Sequence, residues 1–155
     1  MNKVIFALGT NVGDKPLNLN KSKELLDSFL QNTYYSSVIE TEPQYELNQD
    51  SFLNQVGYGY TDSSPEEVLQ QFKIFENKIG RTPTYRFGPR EIDIDILFYE
   101  DHIINSPDLV IPHPRLYERS FVLAPLNEIE PEWICPNTRK TIQQLHQELV
   151  TISTD

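Results

Sequence analysis

The residues with the clearest chemical potential are Asp93 and Asp95, which alternate with isoleucines along segment 91–96. β-branched residues at every second position favour a strand with one apolar and one acidic face. On such a strand the two carboxylates point the same way, roughly 7 Å apart. Like charges held that close repel unless a cation lies between them, and carboxylate oxygens without cysteine or clustered histidine favour Mg²⁺.

Two arginines directly precede this strand. Arg86 and Arg90 bracket a turn-forming Phe-Gly-Pro tripeptide, which places two guanidinium groups beside the acidic face. Cation-binding acids next to arginines suggest a polyphosphate that bridges them. An isolated Asp-x-Asp, however, fits an exposed acidic edge strand with solvated arginines better, so the rest of the chain has to decide.

The loop before the strand and the helix before that loop carry more charge. Segment 80–90 holds glycine, proline and three arginines, beginning with Arg81, and this composition predicts a lid that closes on a phosphate. On the preceding helix, Glu76 falls inside the apolar arc of the helical wheel. Either it lies at the rim and reaches water, or it faces the arginines or a ligand; the following arginines favour the second.

Other polar residues also stand out. Asn54 shares a strand face with Phe52 and Val56, and it is either a satisfied buried amide or a group that reads the polar edge of a ligand. The loop at 40–51 is long enough to suggest a function. His113 lies near arginines without a serine or cysteine triad, which makes hydrogen bonding to a phosphate plausible.

Composition limits the class of protein. The 155 residues, with 38% hydrophobic and 23% charged content, predict a single soluble domain over 1–155. No apolar run reaches the length of a membrane span and the first residues lack a signal-peptide pattern, so we expect a cytoplasmic protein. The single cysteine, Cys135, excludes an internal disulfide and predicts a packed thiol.

The chain is strongly acidic. Its 23 acidic and 13 basic residues give a net charge of −10, which argues against a nucleic-acid partner. A small nucleotide is not excluded, because it responds to the local site and its metal ions.

The pattern of apolar residues predicts the elements that position these side chains. Strands are expected at 4–8, 33–39, 52–60, 91–99 and 133–136, and Phe98 is expected to join Ile92, Ile94 and Ile96 in the core. Helices are expected at 16–31, from Ser64 as cap to Gly80, and at 141–150. Segment 102–104 is read as a hairpin return, 109–112 as an extended piece, and the stretch with Arg119 and Phe121 as a turn or short helix.

The resulting order is β-α-β-β-α-β with C-terminal additions. It predicts an α+β protein with a ferredoxin-like α/β sandwich, in which two main helices cover an antiparallel sheet.

Four motifs in this order resemble the 6-hydroxymethyl-7,8-dihydropterin pyrophosphokinase family of folate biosynthesis. They are the segment 7–14 (Ala-Leu-Gly-Thr-Asn-Val-Gly-Asp), 40–43 with 52–54, 86–95, and 111–115 continuing through 119–123. The resemblance covers nearly the whole chain. One departure is Phe87, which stands where the family usually has tryptophan and keeps a stacking face without a donor.

The resemblance implies roles for individual residues. Two Mg²⁺ ions that bridge the ATP phosphates are expected on Asp93 and Asp95. The residues expected around ATP are Glu76, Arg81, Arg86, Arg90, Ile96, Val110, His113 and Arg119. The residues expected around the pterin are Thr41, Pro43, Tyr45, Phe52, Asn54, Phe87 and Phe121.

The implied reaction is attack of the hydroxymethyl oxygen on the β-phosphorus of ATP, which releases AMP. Arg81 and Arg90 are expected to assist the transfer, and Asp95 is a candidate general base. The resemblance also implies a monomer whose partners are ATP and the pterin, with no nucleic acid and no membrane.

Two other hypotheses compete with this one. The first is a non-catalytic ferredoxin-like module that binds a ligand, with its acids forming a solvated edge. The second is a different magnesium phosphotransferase, which would consume ATP without any pterin.

Overall fold

The computed structural model of the chain describes residues 1–42, 50–80 and 91–154, with side chains described as far as residue 151. The strands are β1 (Asn2–Thr10), β2 (Gln31–Tyr35), β3 (Ile39–Thr41), β4 (Phe52–Thr61), β5 (Asp93–Tyr99), β6 (Ile104–Asn105) and β7 (Val110–Ile111). The helices are α1 (Lys15–Phe29), α2 (Pro65–Ile79), α3 (Ser120–Ile129) and α4 (Ile142–Thr154), and a 3-10 helix spans Leu116–Glu118. No helix in the described ranges combines the length and apolar composition that crossing a bilayer requires.

The central sheet has the strand order β2-β4-β1-β5, and β3 joins it by pairing with β4. These pairings are all antiparallel. A separate two-stranded sheet is formed by β6 and β7. The predicted α+β class and antiparallel sheet are therefore confirmed.

Helical layers cover the sheet on both sides. Along β1, Val4, Phe6 and Leu8 face the core beneath α1 and α2, whereas Ile5 faces a second core formed with the 3-10 helix, α3 and α4. The two-sided burial explains why the first strand reads as a continuous apolar run rather than as an alternating pattern. The two helices that the sequence predicts to cover the sheet, α1 and α2, therefore cover only one of its sides.

Local capping sets the helix ends. At the start of α2, Ser64 and Glu67 form a reciprocal capping box, and Gly80 ends the helix at a φ of 108°. At the start of α1, Asp14 accepts a 3.1 Å hydrogen bond from the backbone N–H of Leu17. The predicted bounds of α2 are confirmed, and α1 ends two residues before the predicted position 31.

Three predicted elements differ in the structure. The expected strand at 33–39 is divided into β2 and β3, because Ser36 turns its hydroxyl to accept from the Val56 N–H at 3.0 Å. The expected last strand at 133–136 contributes only an isolated bridge from Ile134 to Thr141. The hairpin return expected at 102–104 is displaced, because β6 begins at Ile104 and pairs with β7.

The segment after Arg119 forms the ten-residue helix α3, which is longer than the expected turn or short helix. Its apolar side packs Val122, Leu123 and Leu126 into the second core. Cys135 is buried in the same core, where its thiol donates to Asn137 Oδ1 at 2.8 Å. This agrees with the predicted packed thiol.

Candidate active site

Strand β5 carries the two aspartates at an edge of the sheet. Asp93 pairs with Gly9 of β1, and Asp95 pairs with Ala7. Residues two apart on a strand project to the same side, so both carboxylates lie on the face opposite α1 and α2. Both aspartates are partly buried. Ile94, which lies between them, points the other way and is buried in the core beneath α1 and α2.

The alternation ends at a β-bulge. Ile96 pairs with Phe6, but the next pair along β1 joins Ile5 to Phe98, which leaves Leu97 as an extra residue. Phe98 therefore lies with Leu97 in the second core, and the expectation that Phe98 shares a face with Ile96 is wrong. The bulge confines the acid-bearing part of the strand to its first half.

A row of residues connects the aspartates with the predicted pterin site. In register across three strands, Asn54 of β4 pairs with Gly9 of β1, and Gly9 pairs with Asp93 of β5. Directly paired residues of an antiparallel sheet project to the same face. Because neighbouring strands lie about 4.8 Å apart, the backbones at Asn54 and Asp93 are about 10 Å apart with only a glycine between them.

Three of the residues predicted to bind pterin meet at one end of this row. Asn54 is only 6% exposed, and its Nδ2 donates a 2.8 Å hydrogen bond to Thr41 Oγ1. Thr41 in turn pairs with Phe52 in the register of β3 with β4. The hydrogen bond fixes the Asn54 amide and directs its Oδ1 to within 3.5 Å of where a Cβ on Gly9 would lie.

Arg119 and Phe121 approach the same face from the start of α3. The Arg119 guanidinium carbon lies 5.7 Å from the centre of the Phe121 ring, and Phe121 packs against the second core, as does Ala7. Burial lowers the pKa of Arg119, while the negative charge of Asp95 and, more weakly, that of Asp93 act in the opposite direction. Arg119 Nε is buried and has no hydrogen-bond partner among the described residues, which suits it to an anionic ligand.

Beside β5 lies a cavity of about 240 Å³. Four predicted site residues line it: Asp95, Ile96, Val110 and His113. The structure thus brings together one residue expected to bind metal and three residues expected to bind ATP. The remaining lining residues, which the sequence did not single out as site residues, are Leu69, Ile94, Asp108, Leu109 and Pro114.

His113 is held as a neutral imidazole. Burial, followed by the positive charge of Arg119, lowers the pKa of His113 to about 4. Its Nδ1 accepts a 3.2 Å hydrogen bond from the Arg115 N–H, so the single proton resides on Nε2. The imidazole can therefore donate one hydrogen bond from Nε2 without carrying a charge.

Glu76 lies beneath β5. It is only 6% exposed, which excludes the alternative that it sits at the rim of α2 and reaches water. Its Oε2 accepts a 2.8 Å hydrogen bond from the backbone N–H of Ile94, the residue between the two aspartates. The structure thus gives Glu76 a contact with the strand that carries Asp93 and Asp95, which the sequence did not predict.

The donor set at Asp93 and Asp95 suits a hard cation with further ligands from outside the protein. Both side chains offer carboxylate oxygens, which Mg²⁺ prefers. In the described ranges, no group of three or more His, Cys, Asp or Glu side chains forms a complete metal site. A cation here needs ligands such as water or the oxygens of a phosphate.

The loop between β1 and α1 and the first residue of α1 hold the segment that leads into β4, a structural role that sequence reasoning missed. Asn11 Nδ2 donates to the Asp50 carbonyl at 3.2 Å, and Lys15 Nζ donates to the Ser51 carbonyl at 3.1 Å. These contacts fix the chain where it enters β4 toward Phe52. Asn11 is buried, with 2% of its surface exposed.

Six predicted site residues lie outside the described residues, and their roles stay predictions. They are Pro43, Tyr45, Arg81, Arg86, Phe87 and Arg90.

Comparison with known proteins shows the family to which the chain belongs. The model of the family "7,8-dihydro-6-hydroxymethylpterin-pyrophosphokinase (HPPK)" matches residues 5–131. The 2-amino-4-hydroxy-6-hydroxymethyldihydropteridine pyrophosphokinase of Aquifex aeolicus is 41% identical over 148 residues, which cover 96% of this chain and 92% of the relative. The protein of the same name from Bacillus subtilis is 38% identical over 158 residues, covering 100% of this chain and 87% of the relative.

Other similar proteins are longer. The folic acid synthesis protein FOL1 of Dictyostelium discoideum is 44% identical over 146 residues, covering 93% of this chain but only 22% of that protein. The solved structure of Plasmodium falciparum HPPK-DHPS shares the fold with a TM-score of 0.80 and 18% identity, covering 97% of this chain and 43% of the other. The chain thus spans about a fifth of the first protein and less than half of the second. The matched family model and the relatives of similar length show that this chain belongs to the 7,8-dihydro-6-hydroxymethylpterin-pyrophosphokinase family.

Proposed function

We propose that this chain transfers the pyrophosphoryl group of ATP to the hydroxymethyl group of 6-hydroxymethyl-7,8-dihydropterin, giving AMP and the dihydropterin diphosphate. The observation that carries the proposal is the row from Asn54 through Gly9 to Asp93. It sets an amide that can read a heterocycle and an acid that can hold a cation on one face of the sheet. The names of the Aquifex and Bacillus relatives support the same reaction.

The topology supports the finer fold assignment. The central elements follow the order β-α-β-β-α-β, if β2 and β3 are counted as the two parts of one strand, and the sheet order is β2-β4-β1-β5. A split βαβ arrangement of this kind is ferredoxin-like. Beyond this core, α3 and α4 form a second helical layer. The start of α3 brings Arg119 and Phe121 to the proposed site.

The pterin is held by shape and by hydrogen bonds. Phe52 and Phe121 offer aromatic faces to a flat bicycle, and the oriented amide of Asn54 offers an acceptor to its polar edge. Pro43, Tyr45 and Phe87 complete the pocket in this proposal.

The nucleotide lies along β5. Ile96 and Val110 offer apolar walls in the cavity, and His113 offers its Nε2 proton to a phosphate oxygen. Arg119 supplies positive charge beside Asp93 and Asp95. Arg81, Arg86 and Arg90 bring further charge to the phosphates, with Arg81 and Arg90 assisting transfer.

Magnesium fits the two carboxylates, because hard oxygen donors on one strand face leave positions free for phosphate oxygens. Held by Asp93 and Asp95, Mg²⁺ would neutralise phosphate charge during the transfer. The proposal includes two Mg²⁺ ions at Asp93 and Asp95.

In the transfer, a bond forms between the hydroxymethyl oxygen and the β-phosphorus. The bond from the β-phosphorus to the oxygen that bridges it to the α-phosphorus breaks, and AMP leaves with that oxygen. The hydroxymethyl proton passes to solvent or to Asp95, the candidate base. Such transfers depend mainly on positioning and charge neutralisation, which this chain supplies by Asn54 at one end and Arg119 at the other.

A cytoplasmic, monomeric enzyme without a nucleic-acid or membrane partner is also part of the proposal. The net charge of −10 supports the exclusion of nucleic acid. The family relationship supports catalysis over a non-catalytic ligand-binding module.

The test is an analysis of nucleotide products. Purified protein is incubated with ATP, MgCl₂ and the hydroxymethyl dihydropterin, with parallel reactions that omit the pterin or contain excess EDTA. The proposal predicts AMP in the complete reaction and no AMP in either omission. ADP as the product, or ATP turnover without pterin, would contradict it and favour a different phosphotransferase.

A further inference from the structure

The glycines of the central sheet differ in what surrounds the position that a side chain would occupy. Gly57 and Gly59 are buried on the face beneath α1 and α2. A Cβ on Gly57 would lie 2.7 Å from the Tyr34 carbonyl oxygen, and one on Gly59 would lie 2.8 Å from Leu30 Cβ. Packing of the protein itself therefore requires glycine at both positions.

Gly9 is different. It lies on the opposite face and is partly exposed, although its neighbours Leu8 and Thr10 are buried. The nearest atoms to a Cβ there would be Asn54 Oδ1 at 3.5 Å and Phe52 Cδ1 at 3.8 Å, which are ordinary van der Waals distances. Its backbone is extended in β1 and has no positive φ, so any residue can adopt it. Neither packing nor backbone geometry requires glycine at this position.

The space above Gly9 lies between the two halves of the proposed site. Asn54 flanks it on one strand and Asp93 on the other, about 10 Å apart across two strand spacings. A substrate whose polar edge is held at Asn54 and whose reacting oxygen meets a phosphate near Asp93 must extend over Gly9. That span is comparable to the long dimension of a fused two-ring heterocycle with a one-carbon side arm.

We propose that Gly9 is a specificity-determining residue, whose missing side chain leaves the floor on which the bicyclic substrate lies between Asn54 and Asp93. The proposal rests on the proposed function, because it takes the substrate to be a pterin. A side chain at Gly9 should compete with the bicycle more than with ATP, since the predicted nucleotide residues Ile96, Val110 and His113 line a cavity beside β5 whose lining does not include Gly9 or Asn54. The effect of a substitution should therefore fall mainly on one substrate.

The experiment compares Gly9→Ala and Gly9→Val with Gly59→Ala. For each protein, Tm, KM for the pterin and KM for ATP are measured. We expect Gly9→Ala to raise KM for the pterin at least about tenfold, and Gly9→Val to raise it further, because each added carbon takes space from the bicycle. Tm and KM for ATP should stay close to those of the wild type. Gly59→Ala should show the reverse pattern, with Tm lowered by about 5 °C through overpacking against Leu30 and KM for the pterin unchanged.

Two results would overturn the inference. One is an unchanged KM for the pterin in Gly9→Ala and Gly9→Val; the other is a Tm loss in these variants as large as that of Gly59→Ala, with equal effects on both substrates. The wild-type reaction separates this failure from that of the proposed function. If wild-type protein forms no AMP with the pterin, the function itself is wrong; if it does and Gly9→Ala matches it, only the role of Gly9 is wrong.

Discussion

The backbone N–H of Ile94 donates a 2.8 Å hydrogen bond to Oε2 of the buried carboxylate of Glu76. Ile94 lies between the two aspartates of β5, an edge strand of the central sheet. An edge strand has backbone groups that the sheet does not pair. The bond from α2 therefore fixes the backbone that carries both proposed metal ligands.

We expect Glu76→Ala to destabilise the protein and slow the reaction. Removing the acceptor leaves the Ile94 N–H unsatisfied, which should lower the free energy of unfolding by about 1–3 kcal/mol. Displacement of the aspartates should lower kcat at least about tenfold. Urea unfolding followed by the fluorescence of the single tryptophan, Trp133, measures the first effect.

Glu76→Gln is the matched control, because it retains an acceptor oxygen at the same reach. It should lose less stability and less activity than Glu76→Ala. Equal stability of Glu76→Ala and the wild type would contradict the positioning role.

Substitutions of Asn54 and Thr41 should weaken binding of the pterin without changing binding of ATP. Asn54→Ala removes a polar partner of the heterocycle and should raise KM for the pterin about a hundredfold, with KM for ATP unchanged. Thr41→Val removes the acceptor that orients the amide and should have a smaller effect in the same direction. Steady-state kinetics with each substrate varied in turn measure both. A rise in KM for ATP equal to that for the pterin would argue against the assignment.

The lowered pKa of His113 gives a pH dependence with a definite sign. The folded pKa near 4 lies below the ordinary value of 6.5, so the unfolded chain binds more protons between these values. Stability is therefore lost as the pH falls from about 6.5 to about 4, by a total of about 3 kcal/mol from this residue. Above pH 6.5 this contribution is fully present.

His113→Asn should flatten this part of the profile, since asparagine retains an acceptor near the position of Nδ1 but does not titrate. The measurement is the free energy of unfolding at pH 7 and pH 4.5 for both proteins. A wild-type imidazole that titrates near pH 6.5 by NMR, or equal pH slopes for the two proteins, would show that the assignment is wrong.

Arg119 should contribute to ATP binding more than to stability. Its guanidinium lies in the field of Asp95 and Asp93, and its buried Nε has no hydrogen-bond partner within residues 1–42, 50–80 and 91–151. Arg119→Met should weaken binding of a non-hydrolysable ATP analogue at least about tenfold, because a charge-assisted hydrogen bond to phosphate is lost. Titration calorimetry measures the affinity.

Arg139→Met is the control for net charge, since it removes the same charge from an exposed position. It should leave the affinity close to that of the wild type. An equal loss of affinity in both variants would show that the overall charge, rather than Arg119, determines binding.

The sequence predicted much of this arrangement, because strand alternation and helix capping act over a few residues. The shared face of Asp93 and Asp95 follows from a two-residue period, and the ends of α2 follow from Ser64 and Gly80. The bulge at Leu97 was not predictable in this way, because it depends on the register of β5 against β1. Phe98 is buried as predicted, but on the face opposite Ile96.

Contacts between segments that are distant in the sequence could not be predicted either. Glu76 was recognised as an acid in an apolar stripe, but its partner, Ile94, is a backbone group 18 residues away. The alignment of Gly9 with Asn54 and Asp93 depends on the pairing of three strands. Helix α3 is longer than expected, and Pro125 lies inside it although proline is usually unfavourable within a helix.

The most direct test of the account uses hydroxymethyl dihydropterin labelled with ¹⁸O in its hydroxyl group, with ³¹P NMR and mass spectrometry of the products. Attack of that oxygen on the β-phosphorus predicts that the label remains in the bridge between carbon and phosphorus of the dihydropterin diphosphate, and that the AMP is unlabelled. Loss of the label to water, or release of ADP in place of AMP, would contradict pyrophosphoryl transfer across this face of the sheet.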